Sequence, residues 1–187
     1  MSLETIAGDI LYAEPVFNLM RATVENGPFH REANVLTHTM MVCDWYESNV
    51  SVDNDWRGLG LMACLLHDIG KPACLIKKYI PERGEYLSFV GHDYASKLMA
   101  EEMLVRYGAS EFDIYRICWM IEHHQVIWSA KAPARREMAR VLKSRDFYEP
   151  FKMFMIADDM GRICDSRNID CRSFFDRFEL ETALVPY

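Results

Sequence analysis

Apolar residues recur along most of this chain with the 3.6-residue period of a helix, and nowhere is the alternation of a half-buried strand sustained. The pattern predicts helices over about 3–25, 34–49, 54–68, 92–107, 111–125, 133–144 and 147–165. Residues suited to helix starts stand where they are needed: Asn34, Asn54 or Asp55, and Ser110 or Glu111. Gly27-Pro28, Gly70 with Pro72, Pro81 to Gly84, and Gly108 interrupt the periodicity. The longest irregular stretch runs from Lys71 to Gly91 and has room for one small hairpin between 75 and 90, pairing 75–79 with 86–90. No repeat, low-complexity tract or linker divides the chain. The expected fold is all-α, a compact helical bundle forming a single domain over residues 1–187.

The apolar stripes are interrupted by a few polar residues in phase with them. His38 continues a stripe of Val35, Met41, Val42 and Trp45; His67, followed by Asp68, continues one of Leu59, Met62, Ala63 and Leu66. Asp158 falls in phase with Phe151, Phe154 and Met155. Burying carboxylates and imidazoles together is costly unless a cation joins them. The gaps between His38, His67-Asp68, His92, His123 and Asp158 are each about one helix and its return loop, so each group comes from a different element of one bundle. Imidazole and carboxylate donors together suit Mn, Fe, Co, Ni or Zn better than calcium.

Composition narrows the setting. Half of the residues are hydrophobic, as in a folded domain rather than a disordered chain. No apolar run is long enough for a membrane span, the first residues lack a secretory start, and the six cysteines show no CxxC pairing; a cytoplasmic protein with reduced thiols is expected. The net charge of −7 argues against an extended grip on nucleic acid. One basic strip stands out against it, formed by Lys131, Arg135, Arg136, Arg140, Lys143 and Arg145, and reads as a solvated helix face or a contact for a phosphate-bearing substrate.

The order His38, His67-Asp68, Asp158 resembles the signature of the HD superfamily of metal-dependent phosphohydrolases. The strings FHREANVLTHTMMV, ACLLHDIGKP, GHDYAS, IEHH and ADDMGR resemble the HD domain attached to bacterial CCA-adding tRNA nucleotidyltransferases, over about residues 28–165. With only residues 1–27 ahead of that region, no nucleotidyltransferase activity is expected. The resemblance implies His38, His67, Asp68 and Asp158 as core ligands, Asp68 as the bridge if two ions bind, and His92 and His123 as the added ligands of a two-ion site. Asp68 is thus a catalytic as well as a ligating residue. His124 is expected either to replace His123 or to protonate a leaving oxygen. Lys71 follows Asp68 beyond a glycine turn and is a candidate for meeting substrate phosphate, the alternative being a surface lysine at a helix end. Arg162, one turn after Asp158, either meets substrate phosphate or pairs with Asp158 and Asp165. His30 lies near the mouth of the same bundle, as a substrate contact or a plain loop histidine.

The implied activity is hydrolysis of phosphate esters of nucleotides or RNA ends (2′,3′-cyclic phosphates and 2′-phosphates among them), with one or two divalent ions. Hydrolysis of deoxynucleotide mono- or triphosphates is the alternative within the same fold. A dinuclear-iron oxygenase and a metal-stabilised binding module without catalysis are rivals of other classes. Partners are expected to be the phosphate substrate and no membrane, with a homodimer left open.

Overall fold

Pro15 divides the first predicted helix. Its ring disfavours helical backbone at the preceding residue, and Glu14 is extended (φ −84°, ψ 123°). Residues 3–25 therefore form α1 (Leu3–Ala13) and α2 (Val16–Ala22). The computed structural model describes residues 1–25, 30–82, 84–125, 145–164 and 170–183. Beyond α2 the backbone doubles back through a Val24–Asn34 bridge into α3 (Val35–Asn49), whose first turn is capped by the Asn34 side chain accepting from the Thr37 amide.

The next helix, α4 (Arg57–Leu66), is the axis of the molecule, with every residue from Gly58 to Leu66 buried. It packs on α1 and α3, and on α6 (Glu111–His123) and α7 (Tyr148–Met160). Close approach to α3 requires Gly60, because a Cβ there would lie 2.0 Å from the Tyr46 hydroxyl. Beyond α4 a 3-10 turn (Lys71–Cys74) leads into the hairpin of β1 (Ile76–Ile80) and β2 (Gly84–Ser88), where Lys78 opposes Tyr86. This is the anticipated hairpin, with one strand a residue later and the other two residues earlier than predicted. Gly91, at φ +85°, turns the chain into α5 (His92–Arg106), which packs along α6.

α7 stops at Met160 rather than at 165. Gly161 follows it against Val42, where an added Cβ would come within 2.7 Å of a methyl carbon. A further helix, α8 (Cys171–Ala183), was not foreseen; Asp170 accepts the Ser173 amide at its start, and Phe175 and Phe178 are buried, with α8 packed on α7. The predicted helix over 133–144, with Lys131, Arg135, Arg136, Arg140 and Lys143 of the basic strip, lies outside the described residues, as does Asp165. Arg145 lies within them and donates to the Tyr115 hydroxyl. Among the described residues there are eight α-helices and one two-stranded sheet, so the class is all-α. None of those helices is long and apolar enough to cross a membrane. The six cysteines are unpaired.

Candidate metal centre

Inward residues from five helices meet beside the C-terminal end of α4. His38 leaves the middle of the first turns of α3 with Val35, Leu36, Thr39 and Val42 buried around it. His67 caps the end of α4, and Asp68 follows it. Gly70 then lets the turn lie directly on α5: its amide donates to Ser96 Oγ (2.9 Å), and a Cβ there would be 2.5 Å from the Ser96 nitrogen and 2.7 Å from the His92 carbonyl oxygen. That contact sets His92, the first residue of α5, beside Asp68. His124 follows the end of α6, and Asp158 comes from α7.

All six side chains are buried, and their polar atoms converge. His38 Nε2 lies 3.1 Å from Asp158 Oδ1 and 3.8 Å from Asp68 Oδ2. His67 Nε2 lies 3.1 Å from Asp68 Oδ2 and 3.8 Å from Asp158 Oδ1. His92 Nε2 is 3.2 Å from Asp68 Oδ1 and also 3.2 Å from His124 Nε2. Three groups have their donor atoms within 4.8 Å of one another: His38–His67–Asp158, Asp68–His92–His124 and, toward the rim, His30–Glu32–His38.

The outer ring nitrogens decide what the inner ones present. His67 Nδ1 donates to the Cys64 carbonyl (2.8 Å), His92 Nδ1 to that of Phe89 (2.7 Å) and His124 Nδ1 to that of Ile121 (2.6 Å). With the proton on Nδ1, a neutral ring turns an Nε2 lone pair into the centre. His67 Nε2 is buried and has no hydrogen-bond partner among the described residues, yet carboxylate oxygens stand 3.1 and 3.8 Å away. His92 and His124 likewise turn lone pairs toward each other. Acceptors facing acceptors in a dry interior are stable only around protons or a cation, so the donor set fits a divalent transition metal.

The charge balance agrees. Asp68 pairs with Lys71 (2.7 Å), Lys71 also with Glu25 (2.6 Å), and Asp158 with Arg162 (2.6 Å). Burial opposes ionisation of both aspartates, but His67 and Lys71 around Asp68, and Arg162 and His38 around Asp158, hold both well below the usual carboxylate range. Burial, with His92 and His67 adjacent, pushes the His124 ring down to about 3, which keeps it neutral. For His38 burial is outweighed by Asp158 and Glu32, and its pKa rises to about 9. Glu25, Glu32, Asp68 and Asp158 together carry more negative charge than Lys71 and Arg162 offset.

Most residues singled out from the sequence are in or against this cluster. Asp158 rather than Asp159 is the inward aspartate; Asp159 instead accepts the Cys171 amide. Lys71 is no surface lysine but is buried between two carboxylates. Arg162 takes the pairing anticipated with Asp158. His30 is 20% exposed at the rim, edge-on to His38 with ring centroids 4.8 Å apart. His123 is the correction: its ring stacks on Trp119 (4.0 Å, 10°), its Nδ1 meets the Trp119 carbonyl, and the inward position belongs to His124. Helix geometry forces this choice, since neighbouring positions point about 100° apart. Glu25 and Glu32 were not foreseen. They lie outside regular helices, where no periodicity exists to mark a charged side chain as buried.

Comparison with known proteins adds a family. The HD domain family model matches residues 33–161, a span that begins just before α3 and closes at the end of α7. None of the curated proteins matches the chain.

Proposed function

The chain belongs to the HD domain family, a family of metal-dependent phosphohydrolases, and from that premise we propose that it hydrolyses phosphate esters of nucleotides or RNA ends. The observation that carries the reading is the buried set of Nε2 lone pairs and carboxylate oxygens contributed by five helices. We assign His38, His67, Asp68 and Asp158 as core ligands, with His92 and His124 completing a second position that shares Asp68. When bound there, a divalent transition metal supplies a water acidified toward neutrality and positive charge beside the substrate phosphate.

The chain's own residues do the rest. The backbone carbonyls of Cys64, Phe89 and Ile121 hold three imidazoles in the tautomer that ligates. His124 has its proton committed to Ile121, so it serves as a ligand and not as the proton donor to a leaving oxygen. Lys71 and Arg162 bring positive charge to Asp68 and Asp158 and are our substrate-phosphate contacts, with Arg162 part-exposed at 12%. His30 lies at the rim, where a substrate enters from solvent. The likeness of the IEHH, HDIGKP and ADDMGR strings to HD domains of CCA-adding enzymes supports RNA-end phosphates over deoxynucleotides.

The test is a substrate panel. Protein loaded with Mn²⁺, Ni²⁺ or Co²⁺ is incubated with 2′,3′-cyclic AMP, 2′-AMP, 3′-AMP, dAMP and dATP, with Asp68→Ala as control. Cleavage of the cyclic or 2′-phosphate, absent in the control, is the expected result. Release of phosphate or triphosphate from dAMP or dATP alone moves the protein to nucleotide-pool chemistry. No turnover by protein shown to hold metal refutes the hydrolase reading.

A further inference from the structure

His38 differs from the other three imidazoles of the cluster. They rest their Nδ1 on backbone carbonyls three residues back along the chain; His38 sits within α3, where its Nδ1 instead faces the carboxylate of Glu32, with Oε1 3.4 Å away. Both side chains are fully buried. The same Glu32 oxygen accepts the backbone amide of Ile163 (3.0 Å), the residue after Arg162, and the Arg31 amide donates to the Ile163 carbonyl (2.9 Å). Between Glu32 and the Asn34 cap, Ala33 takes a left-handed φ of +77°, a conformation that a residue with a Cβ adopts only when its surroundings impose it.

We propose that Glu32 is a positioning residue for the metal centre: it holds the proton of His38 on Nδ1, and so turns the Nε2 lone pair to the metal, while tying the entry to α3 to the segment that carries Arg162. This rests on the metal-centre reading above. In the metal-free protein Nε2 of His38 donates to Asp158 at 3.1 Å; once that nitrogen is given to the metal, Nδ1 is the atom left to carry a proton, and a carboxylate is its strongest acceptor. A carboxylate behind a ligating imidazole fixes its tautomer and raises its basicity, and losing such a partner lowers metal affinity by about 10–100-fold. The backbone contacts at Ile163 explain why the carboxylate stays in place: it is held from the α7 side as well as from its own loop.

The experiment is a Co²⁺ titration, followed by visible absorption and chelator competition, of the wild type, Glu32→Gln and Glu32→Ala. Thermal unfolding of each metal-free protein separates a loss of fold from a loss of affinity. Expected are unchanged stoichiometry, an affinity drop of about 10–100-fold in Glu32→Ala, and a smaller drop in Glu32→Gln, whose amide oxygen still accepts from Nδ1 and Ile163. Long-range ¹H–¹⁵N spectra of the metal-bound wild type should show His38 protonated on Nδ1. Wild-type affinity in a folded Glu32→Ala protein overturns the proposal and leaves the metal centre standing. Loss of a whole metal equivalent in Glu32→Gln also overturns it, making Glu32 a ligand in its own right. Wild-type protein that binds no Co²⁺ overturns the metal centre itself, and this role with it.

Discussion

His123 and His124 share a backbone and differ by one position, so substituting each separates ligation from packing. His124→Ala removes a lone pair facing His92 at 3.2 Å; metal affinity should fall at least tenfold, by the same competition titration. His123→Ala removes a ring stacked on Trp119 and should cost about 0.5–1.5 kcal/mol of stability with metal affinity held within about twofold. Equal effects on affinity would count against the assignment. The choice between Asp158 and Asp159 was legible from phase, because Asp158 continues the stripe of Phe151, Phe154 and Met155. The choice between His123 and His124 was legible in the same way, since His124 continues the stripe of Ile117, Met120 and Ile121, but the family resemblance pointed to His123. His38 makes a second residue-scale prediction. Its raised pKa, about 9 against 6.5, means that the metal-free protein carries a proton there at neutral pH. That proton stabilises the metal-free fold fully below about pH 6.5 and ceases to as pH rises through about 9. Metal must displace it, so apparent affinity should climb between pH 7 and 9 and level off above. Affinity independent of pH across that range contradicts the ion pair.

Elements place these residues, and Gly70 shows how. The Gly in the string HDIGKP reads from sequence as a breaker, which it is, but its other role needed the fold: the backbone of α5 lies where a side chain would be. Gly70→Ala should push the turn away from His92 and Ser96, at about 1–3 kcal/mol for overpacking and with weakened metal binding, both read from one set of melts with and without Co²⁺. A variant as stable and as tight as the wild type would mean that the turn adjusts freely. The helices were legible where an apolar stripe ran unbroken, as in α3 through α6. The division of α1 from α2 hinged on Pro15, a local steric effect inside a stripe that continues through it. α8 was missed although Asp170 and the spacing of Phe175 and Phe178 mark a helix start and an apolar face, because charged residues dilute that stripe on either side. Its role is packing on α7, so Phe175→Ala should cost about 3–5 kcal/mol and leave metal stoichiometry untouched.

At the scale of the whole molecule, the centre is a concentration of negative charge on the axis of a bundle. Four buried carboxylates face one ammonium, one guanidinium and the protonated His38, and the chain as a whole is already acidic at −7. The ligands come from the end of α4 and from α3, α5, α6 and α7 packed against it, so the interior cannot relax the repulsion without opening the core. An ion bound in the folded state and not in the unfolded one stabilises by mass action, about 2.7 kcal/mol when free metal exceeds its Kd a hundredfold. For a chain of this length that is roughly 5–10 °C in Tm. Chelation should therefore lower the melting temperature by that order, and re-addition of Mn²⁺, Co²⁺ or Ni²⁺ should restore it in proportion to the logarithm of free metal. Asp68→Ala should abolish the response, since Asp68 touches both ligand groups. A melting temperature indifferent to chelator and metal, in protein free of metal at the start, would mean that Lys71, Arg162 and protonated histidine already neutralise the interior and that the cluster has no need of an ion.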